Sequence, residues 1–246
     1  MIRIELFGGL RVRVGDRVVT RFLTRKTAAL LANLAFYLGR AQPREVLIEL
    51  LWPESDLAAG RKSLSVALSA IRREIESGEG PPLLRSDHFT LSLDSSRVCT
   101  DVQEFEHALD EAGRTEEEDR KLVLMRKAAE LYQGQLLPGF YEEWIPPEQA
   151  RLAGRYEDAL LELTQRLVAR GDPSPALDYA RRVVALDPLR EEAHRELIRL
   201  YARCGRISDA VRQYQELEQI LRRELGSLPS TVTRALFAEI TRGPQE

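Results

Sequence analysis

The 246-residue sequence is poor in the residues that build covalent or metal-bound frameworks, with two cysteines, Cys99 and Cys204, and three histidines, His88, His107 and His194. Two distant thiols cannot make a disulfide framework, and no CxxC zinc knuckle is possible. The histidines are far apart in sequence and neither cysteine has a ligand-spaced companion, so no enzyme, metal or cofactor is expected. Both thiols are expected to be buried and inert. Long apolar runs are missing as well. The longest apolar-dominated stretch, Leu30 to Leu38, falls far short of the ~20 residues a membrane span needs. No charged-then-apolar leader opens the chain, so a cytoplasmic protein without a membrane partner is expected. Charge of one sign is scarce too: 36 Lys and Arg against 39 Asp and Glu give −3.

What is present is ordinary globular material, 43% hydrophobic and 30% charged, at a length that suggests about two domains. The charge divides the chain. Residues 1–96 carry 14 basic and 11 acidic side chains, a net +3, whereas residues 97–246 carry 22 and 28, a net −6. Pattern divides it at the same place. Ile2, Ile4 and Leu6 alternate with Arg3 and Glu5, and Val12 and Val14 alternate with Arg11 and Arg13. Gly15-Asp16 before Arg17-Val18-Val19 makes a two-residue hairpin turn. Beyond residue 100 the periodicity is helical almost throughout. The expected architecture is therefore an α+β domain over 1–96 and an all-α domain over 97–246.

Three helices follow the first strands. Thr24 to Leu38 places Leu30, Leu31, Leu34, Ala35 and Leu38 on one face, closed by Gly39. Pro43 is expected in the first turn of the next, with Val46, Leu47, Leu50 and Leu51 as its apolar positions and Pro53 as its end. The third, about Leu57 to Glu76, repeats Leu64, Ala67, Leu68, Ile71 and Ile75 at helical spacing. Gly78, Gly80, Pro81 and Pro82 then break the chain. Leu83–Arg85 and Phe89–Leu93 can pair as a hairpin across Ser86-Asp87-His88, where His88 is expected to cap the turn. Strands, three helices and a hairpin is the order of a winged helix-turn-helix with an extra N-terminal sheet.

With Leu64, Leu68, Ile71 and Ile75 on the core side, Lys62, Ser65, Ser69 and Arg72 or Arg73 share the opposite face of the third helix, and Arg61 and Ser63 stand at its N-terminal turns. Such a helix can enter the major groove of DNA, where Arg and Lys read guanine edges and Ser bonds bases or phosphates. Its positive N-terminal end favours an approaching phosphate. The same pattern also describes a solvated helix face. Gly60-Arg61-Lys62-Ser63 is not a phosphate-cradling Walker loop, because the Lys does not follow the Gly directly.

The run WPESDLAAGRKSLSVALSAIRREI, preceded by QPREVLIELL, resembles the DNA-binding domain of Streptomyces antibiotic regulatory protein (SARP)-type activators, an OmpR-like winged helix, over roughly residues 1–94. The resemblance makes Arg61–Ile75 the recognition helix and Leu83–Leu93 the wing. The wing turn here, Ser86-Asp87-His88-Phe89, departs from the basic turns of that family and has only Arg85 as a basic neighbour.

The second part reads as a helical repeat. A shift of 34 residues aligns Leu163 with Leu197, Leu167 with Tyr201, Gly171 with Gly205, Ala176 with Ala210 and Leu186 with Ile220, which is the tetratricopeptide (TPR) period. Asp101–Gly113 and Glu116–Gln133, the latter opened by a capping box from Thr115 to Glu118, are a looser copy. Leu136 to Pro147 is an aromatic loop that either plugs a groove or binds a partner. The runs TDVQEFEHAL, LYQGQLLPGFYEEW, VVALDPLREEAHRELIRLYARCGR and LRRELGSLPSTVTRALFAEI resemble the bacterial transcriptional activator domain (BTAD) over about 100–241. Both resemblances, in family order, imply a sequence-specific transcriptional activator on double-stranded DNA, bound as pairs on direct repeats, with a helical domain that supports a homodimer or contacts RNA polymerase. Its expected DNA contacts are Arg61, Lys62, Ser63, Ser65, Ser69, Arg72, Arg73 and Arg85. The alternative is a protein-interaction adaptor whose winged helix has lost DNA binding.

Overall fold

The structure, a computed structural model, describes residues 1–76 and 82–242; the expected breakers Gly78, Gly80 and Pro81 lie outside them. The chain forms two compact units, Met1–Gly154 and Arg155–Glu246.

The first unit begins with strands β1 (Ile2–Glu5), β2 (Arg11–Val14) and β3 (Arg17–Val19). They pair antiparallel as the alternation requires, Ile4 opposite Val12 and Val14 opposite Arg17. Ile4 and Val12 are fully buried, and Gly15 turns the hairpin at φ +58°. Helix α1 (Arg25–Phe36) is capped by Thr24, whose hydroxyl accepts from the Thr27 amide. Helix α2 (Arg44–Leu51) starts one residue later than expected. Pro43 is its N-cap, and with Gln42 it forms the short strand β4 (Gln42–Pro43). Val46 is exposed rather than part of the core. Helix α3 (Leu57–Ile75) buries Leu64, Ala67, Leu68, Ile71 and Ile75 as the periodicity demands. It crosses α2 where Gly60 meets Ile48, and a Cβ at residue 60 would stand 2.3 Å from Ile48 Cγ2. Strands β5 (Leu84–Ser86) and β6 (Thr90–Leu93) form the expected hairpin, Ser86 opposite Leu91, and β4 joins it to make a sheet of order β4-β6-β5.

The chain then does something local pattern does not announce. Strand β7 (Val98–Thr100) returns to the N-terminal sheet and pairs parallel with β1, Ile2 beside Val98 and Ile4 beside Thr100, giving the order β3-β2-β1-β7. Helix α4 (Asp101–Arg114) follows at once. Its buried Asp101 carboxylate accepts from the amides of Leu6 (2.8 Å), Phe7 (2.9 Å) and Val102 (2.9 Å), satisfying donors that the end of β1 leaves unpaired. Phe7, Phe105 and Tyr132 then pack as an aromatic cluster, with centroids 4.7 to 5.9 Å apart. Strand β7, α4 and α5 (Glu118–Leu131) thus belong to the first compact unit, whereas the charge and pattern division falls at residue 96. The capping box does not form. Thr115 is the C-cap of α4, its hydroxyl accepts from the Glu117 amide, and Glu117 is the N-cap of α5 without a side-chain bond.

Helix α6 (Ile145–Ala169) opens within the expected aromatic loop, so Pro146 and Pro147 are helical. The loop before it has two roles. Leu136 and Leu137 are buried, with the Leu137 amide bonded to the Leu6 carbonyl, and Trp144 packs on Phe36 and Tyr37. Tyr141 is 79% exposed, beneath the Arg25 guanidinium.

In the second unit α7 (Pro173–Leu186), α8 (Glu191–Arg203), α9 (Ile207–Leu225) and α10 (Thr231–Arg242) succeed α6. The 34-residue repeat is present down to single hydrogen bonds. Amides of Arg170, Gly171 and Asp172 donate to the carbonyls of Arg166, Val168 and Leu167. Those of Cys204, Gly205 and Arg206 donate to Leu200, Ala202 and Tyr201. Gly171 and Gly205 take the same left-handed conformation, φ +83° and +70°, which closes each helix at no steric cost. Leu167, Ala176, Leu197, Tyr201, Ala210 and Tyr214 share one core. Buried His194 bonds the Pro188 carbonyl through Nε2 and Gln213 through Nδ1. Cys99 and Cys204 are half-buried, not buried as expected. Among the described residues no helix is long and apolar enough to cross a membrane.

Candidate nucleic-acid interface

Helix α3 carries its polar residues on the side turned away from Leu64, Leu68 and Ile71. Arg61, Lys62, Ser65, Ser69 and Arg73 are exposed and Arg72 is half-buried at the edge. At ~100° per residue, Ser63 stands roughly 160° from Ser65; it is half-buried and takes no part in this face. Val66, 54% exposed, adds an apolar member that the expected stripe omitted.

The cations on this face are not equivalent. Arg61 Nη2 lies 3.1 Å from Glu45 Oε1 on α2, with both side chains largely exposed. Lys62, Arg72 and Arg73 have no carboxylate partner among the described residues. Ser65 and Ser69 donate their hydroxyl protons back along the helix, to the carbonyls of Arg61 and Ser65, each at 2.9 Å. Their lone pairs are left to accept from a partner, whereas donation would need a rotamer change. The expected role of the helix N-terminus is corrected: Asp56 caps it, its carboxylate accepting from the Ala59 amide at 2.8 Å. A negative charge already occupies the place an incoming phosphate would take.

The hairpin is pinned by side-chain bonds at its tip and carries little free positive charge. Arg85 sits on its outer strand with Nη2 2.9 Å from Asp94 Oδ2. Ser96 and Arg85 together hold the Asp94 carboxyl down at about 2. At the tip Asp87, not His88, organises the turn. Its Oδ1 accepts from the amides of Phe89 (2.7 Å) and Thr90 (2.6 Å), and its Oδ2 from the Thr90 hydroxyl, so its carboxyl is held below the usual range. Edge-on to His88, Phe89 is 77% exposed.

Arg44, at the first position of α2, links the helices to the hairpin. Its amide donates to the Phe89 carbonyl at 2.8 Å and its Nη1 to Ser86 Oγ at 3.0 Å. Between α2, α3 and the tip lies an open groove of about 700 Å³, lined by Arg44, Glu45, Arg61, Ser65, His88 and Phe89. Of the expected contacts, the structure brings Lys62, Ser65, Ser69, Arg72 and Arg73 to one face with Arg61. Arg85 is placed on a separate strand, and Ser63 is turned aside. Arg44 and Phe89 were missed. Exposure of an aromatic on a tight Asx turn is a signal sequence can carry, but the reach of Arg44 to the hairpin depends on the pairing of β4 with β6.

The sequence model of the bacterial transcriptional activator domain matches residues 100–241. No curated protein matches the chain in sequence. Among solved structures the chain is similar to Mycobacterium tuberculosis EmbR in complex with a low-affinity phosphopeptide, at 23% identity and a TM-score of 0.69. That match covers 100% of this chain, which spans 66% of the EmbR chain. The C-terminal TPR-containing domain of a Plasmodium falciparum FK506-binding protein is similar over 58% of this chain and 89% of its own, at 14% identity and a TM-score of 0.39.

Proposed function

The chain belongs to the bacterial transcriptional activator domain family, and on that premise we propose that it is a sequence-specific transcriptional regulator of the SARP type that binds double-stranded DNA. In this reading α1, α2, α3 and the β5–β6 hairpin are an OmpR-like winged helix-turn-helix, and the repeating helix pairs of the second unit are TPR-like. The observation that carries it is the face of α3: Lys62, Ser65, Ser69 and Arg73 stand exposed in one stripe while Leu64, Leu68, Ile71 and Ile75 are buried behind them. An isolated helix of this width fits the major groove, where Lys and Arg bond guanine and Val66 can meet a thymine methyl. The acidic helical part, net −6 over 97–246, is repelled by the duplex and serves protein partners, RNA polymerase first among them. Two copies on direct repeats supply the affinity that a modest +3 domain lacks. Cytoplasmic location and the absence of catalysis complete the reading.

A second reading, an adaptor that has lost DNA binding, draws on the neutralisation of Arg61 by Glu45, of Arg85 by Asp94, and of the α3 N-terminus by Asp56. Selection from random duplex pools separates the two, followed by affinity measured across salt. An activator enriches a defined sequence, and log K falls by about 0.9 per phosphate neutralised for each tenfold rise in salt. Lys62→Ala and Arg72→Ala each weaken that complex and flatten the salt slope by roughly one contact, with unchanged melting. If no selected duplex binds better than bulk DNA, the adaptor reading takes its place.

A further inference from the structure

Val66 stands in the middle of the exposed face of α3, and neither packing nor helix propensity accounts for it. Its side chain is 54% exposed, and a β-branched residue is a poorer helix former than alanine or the long charged residues. At ~100° per residue, Lys62, Ser69 and Arg73 all project within roughly 60° of it, and all three are exposed. The four side chains make a strip ~16 Å long at 1.5 Å per residue. A cation stands at each end, with an isopropyl group and a hydroxyl between them. The acidic residues nearest in sequence are turned away. Glu74 projects ~100° to the side of Arg73, and the Glu76 carboxylate accepts from the amides of Leu83 (2.9 Å) and Leu84 (3.2 Å).

The middle of this strip has no proton to offer. Ser69 gives its hydroxyl proton to the Ser65 carbonyl at 2.9 Å, and Ser65 gives its own to the Arg61 carbonyl. Between Lys62 and Arg73 the face can therefore accept a hydrogen bond or touch an apolar group, and in this arrangement it cannot donate. That narrows what it can read in a major groove. The acceptor edges there, guanine N7 and O6, adenine N7 and thymine O4, find no donor opposite the middle of the strip. The groove presents one apolar group, the 5-methyl of thymine, and the strip presents one apolar side chain. Cations at both ends suit a groove walled by phosphates.

We infer that Val66 is a specificity-determining residue that recognises the 5-methyl group of a pyrimidine at the centre of the site covered by α3. Thymine is favoured at that position, and cytosine binds better once it carries a 5-methyl group. Covering both apolar groups removes them from water together, which favours the methylated base by the worth of about one buried methyl. The inference rests on the DNA-binding reading above and deepens it by naming the chemical group that is read.

The test begins with the duplex that the full chain selects from random pools. Each thymine of that duplex is replaced in turn by deoxyuridine, which keeps every hydrogen-bonding group and removes only the methyl. One replacement is expected to weaken binding by the parent about fourfold and to leave binding by Val66→Ala unchanged. At the same position 5-methylcytosine is expected to bind the parent about fourfold better than cytosine, and Val66→Ala equally well with either. Val66 is exposed and alanine is the better helix former, so the variant melts no lower than the parent. A selected duplex without thymine overturns the assignment. So does one that loses nothing at any deoxyuridine, or loses as much with Val66→Ala as with the parent; in each of these cases the DNA-binding reading stands. A pool from which no duplex is enriched overturns that reading and the assignment together.

Discussion

Arg61 on α3 and Glu45 on α2 form an ion pair of 3.1 Å across the mouth of the groove that faces the hairpin. The same guanidinium is the first cation of the stripe proposed to meet DNA, and in that reading an internal carboxylate competes with phosphate for it. An exposed pair of this kind is worth at most ~1 kcal/mol, too little to prevent binding and enough to tune it. Glu45→Gln is therefore expected to strengthen the selected DNA complex about two- to fivefold at low salt, as read by fluorescence anisotropy. Equal or weaker binding by the variant would show that Arg61 stays with its own helix pair.

The position of that pair depends on how closely α2 and α3 approach. Gly60 makes the contact, since a Cβ there would meet the γ-branch of buried Ile48 at 2.3 Å. A β-branched side chain has no alternative rotamer that clears the contact cheaply. Gly60→Ala should cost about 1–3 kcal/mol in urea unfolding, and Ile48→Ala in the same chain should recover part of it. Strict additivity of the two changes would mean that the helices separate without resistance.

Asp101 ties β1 to α4, and burial raises its carboxyl to about 6 against the pull of three amide donors. A raised folded-state value means that the native chain holds the proton more tightly than the unfolded chain. The stabilisation is complete below 3.8 and lost as pH rises through 6. The stability of the parent relative to Asp101→Asn should thus fall by up to ~3 kcal/mol between those limits. A difference independent of pH in urea unfolding would place the shift elsewhere.

His194 has the opposite sign. Gln213 Nε2 donates to Nδ1 at 3.0 Å, so the ring is neutral with its proton on Nε2, directed at the Pro188 carbonyl. Burial pushes its value below 6.5. Its contribution is present above 6.5 and lost as pH falls through the depressed folded value. Unfolding measured at pH 7.5 and pH 5.5, roughly a unit on either side of the ordinary histidine value, should show a loss at the lower pH that His194→Gln does not share. Equal pH dependence in the two chains would contradict the assigned tautomer.

Much of this protein is written in short-range pattern. The apolar stripe of α3, the Gly15 hairpin, the strands around Asp87 and the 34-residue spacing of the helix pairs all follow from residues a few positions apart, because helical and strand periodicities are local rules. The separation of basic from acidic halves needs no fold at all. Tertiary structure alone decided which of those residues are available. It returned β7 to β1 through Asp101, drawing α4 and α5 into the first compact unit. By pairing Arg61 with Glu45 and Arg85 with Asp94, it left Lys62, Arg72 and Arg73 as the cations of the α3 face without a carboxylate partner among the described residues. Periodicity fixes which way a side chain points from its own helix, but charge and volume are settled by what the neighbouring helix brings to meet it.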